Sequence, residues 1–316
     1  MGVKSYFYNQ KKSAGWIDAI RKTATKIVKR ILDIDKIEEE NDALFYFLNS
    51  LYDVRTVPPA VGGLRDLQKC DAVLLKIFDK VCRKYNFEYW LDYGTLLGAY
   101  RHGGFIPWDD DLDVAMQRDD YNKVLPILKK ELTAYGIEIV DEEAMVRIGI
   151  GYKHKATGVW LDIFPVDLTK STICCDEISS MLYTKCLKYR KYYIRHHKKI
   201  SVEEMCKIKE KIIDIPAGNK RVLYHGPEYE YDIPYACDFD DVFPLGKITF
   251  EGHEFSVPGK CELYLERIYG YNYMKFPRNG VEHHGDGVLR LSQWAAYSGT
   301  NMVTILQELD KIYCSI

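Results

Sequence analysis

One segment, residues 91–113, constrains the fold of this chain more than any other part of the sequence. It begins inside an aromatic run of alternating polarity, residues 87–93, which predicts a short strand. Gly94 and Thr95 then begin a short predicted helix. A helix that starts directly after a strand presents backbone N–H groups and the positive end of its dipole, which together bind phosphate well. The segment therefore predicts a phosphate-binding turn.

Four aspartates follow within five positions: Asp109, Asp110, Asp111 and Asp113. Side chains alternate faces along a strand, so Asp111 and Asp113 are predicted to point the same way, with Leu112 in the core. Two neighbouring carboxylates repel each other unless a cation lies between them, and Mg²⁺ prefers carboxylate and phosphate oxygens. A solvated acidic turn is the alternative, but the flanking residues are apolar. The pattern favours a metal and phosphate site.

Residues 94–102 and 105–113 closely resemble the signature of the LicD/fukutin phosphotransferases, a family within the nucleotidyltransferase superfamily. Gly-Thr followed by Asp-x-Asp is the mark of the superfamily, whereas Arg101-His102 and the run from Ile106 to Asp109 belong to the narrower family. The resemblance covers residues 64–167 and 243–284. It implies an α+β fold: a small mixed β-sheet of the nucleotidyltransferase type flanked by helices, with additional helices at the N-terminus and in the middle of the chain.

A third carboxylate, Asp162, lies alone in an apolar predicted strand, where an aspartate is rare unless it is paired or binds a metal. Members of the superfamily resemble this arrangement too. The resemblance therefore assigns Asp111, Asp113 and Asp162 as catalytic residues and ligands of Mg²⁺, with Mn²⁺ as an alternative. Asp162 is either the third ligand or the general base.

The resemblance also implies a set of residues that contact the substrate or form the wall of its site. They are Gly94, Thr95, Arg101, His102, Trp108, Asp109 and His284. Asp109 is either a ligand or a residue behind the ligands. For the histidine, one of His283 and His284 is expected to line the site.

As a function, the resemblance implies metal-dependent transfer of a substituted phosphate from a CDP-activated donor to a hydroxyl of a cell-surface glycan, with release of CMP. The transferred group would be phosphocholine, ribitol phosphate or glycerol phosphate, and the glycan acceptor is often lipid-linked. The motif chemistry alone leaves alternatives open. These are a nucleotidyltransferase that acts on a small molecule and releases pyrophosphate, a metal-dependent glycosyltransferase, and a scaffold without catalytic activity.

The overall charge is nearly balanced, with 44 basic and 46 acidic residues, so no global field points to nucleic acid. The nine cysteines are odd in number and contain no Cys-x-x-Cys, which argues against a disulfide framework or a zinc ribbon. No apolar run approaches the roughly 18 residues of a membrane span, and the N-terminus lacks the apolar region of a signal peptide. We therefore expect reduced thiols and a cytoplasmic location.

Residues 13–34 predict a basic amphipathic helix, which either lies on the inner face of an anionic membrane or packs on protein. The Pro- and Gly-containing linker 57–63 then separates a helical extension, residues 1–60, from the predicted catalytic domain, residues 61–316. For the helix predicted over 64–85, the sequence pattern indicates packing against the core and no functional role. A helical insertion, residues 175–213, contains a basic stretch, 185–199, that is either a docking face for phosphate-bearing acceptors or lipid headgroups, or a plain solvated face.

The remaining predictions concern local elements. Paired strands are expected over 146–152 and 159–164, a hairpin over 243–258 that turns at Glu251-Gly252, and helices over 118–132, 258–269 and 292–312. Asp167 comes two residues after Pro165 and is predicted to be a turn residue or a helix cap.

Overall fold

The computed structural model describes residues 34–142, 147–152, 157–197, 199–227, 235–277 and 286–316. Apart from its last residue, the predicted basic helix 13–34 lies outside these ranges, as do His283 and His284. The described residues form two compact units. The smaller unit comprises residues 34–54 and 275–277 and contains helix α1 (Ile34–Leu51). In this unit, Asn49 Oδ1 of α1 accepts a hydrogen bond from the Phe276 N–H at 2.9 Å.

The larger unit contains a mixed sheet of seven described strands. They are β1 (Trp90–Leu91), β2 (Asp113–Gln117), β3 (Ile137–Glu142), β4 (Arg147–Tyr152), β5 (Trp160–Ser171), β6 (Lys220–His225) and β7 (Ala236–Asp238). The order is β1-β2-β5-β4-β3, and β6 with β7 extends the sheet from the second half of β5. Only the β2–β5 pair is parallel among these strands. β5 is thus the central strand, and residues 161–167 within it are all buried.

Nine described helices and a two-stranded sheet surround or extend this sheet. The helices are α2 (Gly62–Tyr85), α3 (Tyr93–His102), α4 (Arg118–Leu132), α5 (Cys175–His196), α6 (Val202–Ile213), α7 (Phe239–Val242), α8 (Cys261–Tyr269), α9 (Asp286–Ser298) and α10 (Met302–Ser315). The second sheet pairs β8 (Gly246–Phe250) with β9 (His253–Val257). This architecture confirms the predicted α+β class. Within the described residues, no helix combines the length and apolar character needed to cross a bilayer.

Several local predictions are confirmed. Helix α4 has the predicted bounds, and α5 and α6 are separated near residue 200 as expected. Ser201 caps α6, because its side chain accepts a hydrogen bond from the Glu204 N–H at 3.2 Å. The β8–β9 hairpin turns at Glu251 and Gly252, whose φ angles of 49° and 74° are typical of a type I′ turn. All nine cysteines are free thiols.

Other predicted bounds are wrong. The strand expected over 87–93 is limited to Trp90–Leu91, and Asp111 precedes β2, so it lies outside the strand. The helix expected from Pro258 begins at Cys261. The helix expected over 292–312 is two helices, because Gly299 adopts a left-handed φ of 68° and Asn301 caps a new helix start.

Asp167 is also a correction, since it lies inside β5 and is buried. Its carboxylate accepts hydrogen bonds from Arg118 at 2.9 and 3.0 Å and from Lys209 at 2.8 Å. Burial opposes ionisation of this group, but the two positive charges outweigh it and lower the pKa of Asp167 to about 2. The ion pairs join α4 and α6 to the central strand.

We expect Asp167→Asn to lower the free energy of unfolding by about 2 kcal/mol at pH 7, measured by urea denaturation. The folded pKa lies below the unfolded value of about 3.9, so the stabilisation is present above pH 4 and is lost as the pH falls toward 2. The variant and the wild type should therefore converge in acid. Glu203→Gln, which breaks an exposed pair with Lys207, is the control and should change stability by less than about 1 kcal/mol. A pH-independent difference for Asp167→Asn would contradict this account.

Candidate active site

The start of helix α3 is tied directly to the start of strand β2. The Asp92 N–H donates to the Asp113 carbonyl at 3.0 Å, and the Asp113 N–H donates to Thr95 Oγ1 at 2.8 Å. Thr95 is buried, so its hydroxyl fixes the distance between the helix start and the acidic segment. The N–H groups of a first helical turn have no carbonyl partner within their own helix. The predicted phosphate-binding turn and the predicted metal-binding aspartates are therefore neighbours.

Asp113 and Asp162 are register partners on the parallel strands β2 and β5. The Asp162 N–H donates to the Leu112 carbonyl at 2.8 Å. One oxygen of the Asp162 carboxylate, Oδ1, accepts a hydrogen bond from the Trp160 indole N–H at 2.6 Å. Asp162 is buried, whereas Asp111 and Asp113 are partly exposed. The fold thus places two of the three predicted ligands side by side, with the third two residues before β2.

Repulsion among these carboxylates changes their pKa values. Burial of its carboxyl group, together with the charges of Asp111 and Asp162, raises the pKa of Asp113 well above its usual range. Burial and the charge of Asp111 raise the pKa of Asp109 in the same direction. Ionisation of one aspartate in this site therefore opposes ionisation of its neighbours.

Gly94 is required by the position of Asp109. A Cβ atom added at Gly94 would lie 2.5 Å from Asp109 Oδ2, which is far closer than two such atoms can approach. The carboxylate of Asp109 therefore rests on the backbone of the first turn of α3, where the positive end of the helix dipole favours it. Asp109 belongs to the site, and whether it binds a metal directly stays a prediction.

The predicted substrate-binding residues at the end of α3 have structural contacts. Arg101 is buried, donates from Nη1 to the Tyr273 carbonyl at 2.9 Å, and has its guanidinium 5.9 Å from the centre of the Trp108 ring. Burial lowers the pKa of Arg101 to about 10, which leaves it charged at neutral pH. His102 is the last residue of α3 and is partly buried. Their contacts with substrate, and that of His284 outside the described residues, stay predictions.

One face of helix α2 contacts the acidic segment. The sequence did not predict this contact. Gln68 is buried and donates from Nε2 to the Asp109 carbonyl at 2.9 Å and toward the Ile106 carbonyl at 3.4 Å. Arg65, three residues earlier, donates to both carboxylate oxygens of Glu251 at 2.8 and 2.7 Å. Glu251 in turn accepts from the Phe105 N–H at 3.3 Å. Helix α2 therefore does more than pack the core.

Asp71, three residues after Gln68, belongs to the same face and is fully buried. Its Oδ1 accepts a hydrogen bond from the Trp160 N–H at 3.1 Å, whereas its Oδ2 has no hydrogen-bond partner. The sequence contained a signal for it. Asp71 lies at helical spacing from the apolar residues Leu67 and Leu74, and a carboxylate on the buried face of a helix needs a reason to be there.

A second network that the sequence reading missed supports the turn before Gly94. Asp92 is fully buried, and its Oδ1 accepts from the Tyr93 N–H at 2.9 Å and from the Tyr264 hydroxyl at 3.0 Å. His225 Nε2 lies 3.1 Å from Asp92 Oδ2. Tyr93, with a φ of 39°, is strained for a residue with a side chain. The network fixes this unusual backbone and with it the helix start.

The residues present suit a hard divalent cation, although they do not form a ready-made coordination shell. Within the described part of the chain, no three His, Cys, Asp or Glu side chains are arranged to hold a metal. The available donors are carboxylate oxygens, which Mg²⁺ and Mn²⁺ prefer. Two of these carboxyl groups, those of Asp109 and Asp113, have pKa values raised in part by neighbouring aspartates. Binding of a cation would relieve that repulsion.

Comparison with known proteins agrees with this geometry. Residues 86–207 match the family model described as LicD/FKTN/FKRP, nucleotidyltransferase domain. The lipopolysaccharide cholinephosphotransferase LicD of Haemophilus influenzae is 46% identical over 68 residues, which cover 22% of this chain and 26% of that protein. The human ribitol 5-phosphate transferase FKRP is 32% identical over 96 residues, 30% of this chain and 17% of that protein. An uncharacterised protein of Rickettsia typhi is 35% identical over 102 residues, 30% and 33% of the two chains.

Residues 86–207 contain the helix start and the paired aspartates, and they match a domain of the nucleotidyltransferase class. The match of residues 86–207 to the LicD/FKTN/FKRP model agrees with the resemblance that the sequence signature predicted. The chain spans between 17% and 33% of the length of the three relatives named here.

If the carboxylates repel each other, neutralising one should stabilise the metal-free protein. We expect Asp113→Asn to raise the melting temperature in EDTA at pH 8, measured by scanning calorimetry. The folded pKa of Asp113 is raised, so its ionisation destabilises the folded state above the unfolded pKa of about 3.9. The gain should therefore shrink as the pH falls toward 4. A lower melting temperature for the variant at pH 8 would show that Asp113 stabilises the fold instead.

Proposed function

We propose that this chain is a metal-dependent phosphotransferase that moves a substituted phosphate from a CDP-activated donor to a hydroxyl of a cell-surface glycan and releases CMP. The observation that carries the proposal is the pairing of Asp113 with Asp162 on adjacent parallel strands, beside the start of α3. Two of the relatives are named as a cholinephosphotransferase and a ribitol 5-phosphate transferase, which supports this class of transferred group.

Each part of the site has a role in this reaction. Asp111, Asp113 and Asp162 would hold Mg²⁺ or Mn²⁺. When bound, the cation would neutralise charge on the donor diphosphate and lower the pKa of the attacking hydroxyl. The N–H groups at the start of α3 would bind phosphate oxygens. Arg101, charged and fixed by the Tyr273 carbonyl, would add positive charge beside the diphosphate.

The transfer forms one bond and breaks one bond. The oxygen of the acceptor hydroxyl bonds to the phosphorus distal to the cytidine, while the bond from that phosphorus to the bridging oxygen breaks and CMP leaves with the bridging oxygen. The hydroxyl proton passes to a carboxylate. Asp162 is suited to accept it, because the Trp160 indole N–H holds its Oδ1 at 2.6 Å and fixes the orientation of the carboxyl group.

A surface feature supports an acceptor that is presented at an anionic membrane. Helix α5 exposes Leu187 and Ile194 beside the basic residues Lys188, Lys191 and Arg195. The sequence from Tyr183 to Lys199 contains no acidic residue. Exposed apolar side chains flanked by lysine and arginine favour contact with anionic lipid headgroups. We also propose that the protein is cytoplasmic and contacts the inner face of the membrane peripherally. The contacts would be made by this basic face of α5 and by the predicted helix 13–34.

Thermal stabilisation by candidate donors tests the proposal. CDP-choline, CDP-ribitol and CDP-glycerol would each be added with and without Mg²⁺, and the melting temperature measured. One donor should raise it by several degrees, since saturation at about 100 times Kd adds about 2.7 kcal/mol. The rise should require Mg²⁺ and be absent in Asp111→Ala. No response to these donors, with a metal-dependent response to another nucleotide or to a nucleotide sugar, would favour a nucleotidyltransferase or a glycosyltransferase.

The contact between Gly94 and Asp109 gives a second prediction. Gly94→Ala should remove the donor-induced rise in melting temperature, because the new Cβ displaces the Asp109 carboxylate from the start of α3. The fold itself should persist, since alanine is a better helix former than glycine. Gly246→Ala is the matched control, because its Cβ would meet Val257 at an ordinary 3.5 Å. A Gly94→Ala protein that responds to donor as the wild type does would refute the assigned role.

A further inference from the structure

We propose that Asp71 of helix α2 is an additional ligand of the divalent cation, and that its Oδ2 completes the site formed by the aspartates of residues 109–113. The inference rests on the proposed function, in that the cation is the one that serves the transfer. It adds a ligand from a helix that lies outside the matched family segment, residues 86–207.

The two oxygens of Asp71 differ in their surroundings. Oδ1 accepts the Trp160 N–H at 3.1 Å, and Oδ2 has no hydrogen-bond partner although the residue is 0% exposed. A buried carboxylate oxygen without a partner loses the hydrogen bonds that water would give it, which destabilises the folded state. Among the described residues, no lysine, arginine or histidine forms an ion pair with Asp71. A cation at Oδ2 would remove this cost.

Asp71 also lies close enough to the acidic cluster to be affected by its charge. After burial and the Trp160 hydrogen bond, the strongest influences on its carboxyl group are the charges of Asp111, Asp110 and Asp109. Gln68, one helical turn earlier, holds the carbonyl of Asp109 at 2.9 Å. Trp160 connects Asp71 to the other side of the cluster, since its indole N–H binds Asp162. Helix α2 therefore contacts the acidic loop through Gln68 and β5 through Asp71, and the Oδ2 atom of Asp71 is the buried oxygen left to bind a cation.

The variant Asp71→Asn distinguishes two roles of Asp71, that of a metal ligand and that of a hydrogen-bond acceptor for the Trp160 N–H. The amide oxygen of asparagine can still accept the Trp160 N–H, so the packing of α2 against β5 is retained. The second oxygen is replaced by an NH₂ group, which cannot bind a cation. If Asp71 only positioned Trp160, this variant would bind metal as the wild type does.

The test is a Mn²⁺ titration of the full chain without nucleotide, with free Mn²⁺ followed by electron paramagnetic resonance. We expect Asp71→Asn to weaken Mn²⁺ binding by about tenfold or more, while its melting temperature in EDTA equals or exceeds that of the wild type. Asp79→Asn is the matched control. Asp79 is a buried aspartate of the same helix whose carboxylate binds Arg83 at 2.7 Å and Tyr89 at 2.7 Å, and its variant should keep the wild-type affinity for Mn²⁺.

Wild-type affinity in Asp71→Asn, with weakened binding in Asp111→Asn, would overturn this inference and leave the proposed function standing. Absence of Mn²⁺ binding in the wild type would overturn both. Should Asp71→Asn fail to fold, Fe²⁺-directed cleavage of the wild type decides the question, because hydroxyl radicals cut the backbone nearest to the bound metal. Cuts beside Asp71 as well as at residues 109–113 support the ligand, and cuts at 109–113 alone contradict it.

Discussion

Mutual repulsion among aspartates is the interaction around which the rest of this structure is arranged. Asp109, Asp111, Asp113 and Asp162 meet where β2 and β5 begin, and burial and repulsion raise the pKa of Asp109 and Asp113. Such a cluster persists only if its backbone is held from several sides. Thr95 fixes the start of β2, Gln68 fixes the acidic loop, and Trp160 fixes Asp162. We expect this repulsion to lower the stability of the metal-free state, as the Asp113→Asn variant tests.

Some of the contacts that hold the acidic segment come from outside the matched family segment, residues 86–207. Helix α2 supplies Gln68 and Arg65, and the β8–β9 turn supplies Glu251, which binds the Phe105 N–H. The Tyr273 carbonyl holds Arg101. The matched segment contains the predicted ligands Asp111, Asp113 and Asp162, and the flanking helix and hairpin contact the loop that precedes them. Substitutions in these flanking parts are therefore expected to disturb the site without touching a predicted ligand.

The sequence predicted the parts of the site that depend on local order. The Gly94-Thr95 helix start is a short-range pattern, and the family resemblance placed Asp162 near Asp113, whereas the alternation predicted for Asp111 and Asp113 was wrong because β2 begins at Asp113. The sequence did not predict the partners of Asp71 and Asp92, because Trp160 and His225 are brought to them only by the fold. Asp167 was misassigned for the same reason, since Lys209 lies 42 residues away along the chain. Contacts of this range leave no periodic signal.

The central claim is that attack occurs at the phosphorus distal to the cytidine. It can be tested without knowing the acceptor, because water can replace the glycan hydroxyl in a slow hydrolysis of the donor. The wild type would be incubated with CDP-choline or CDP-ribitol and Mg²⁺ in ¹⁸O-labelled water, and the products analysed by mass spectrometry. The account predicts ¹⁸O in the released phosphocholine or ribitol phosphate and unlabelled CMP. Label in CMP would place the attack at the nucleotide's α-phosphorus and contradict the proposed phosphotransferase.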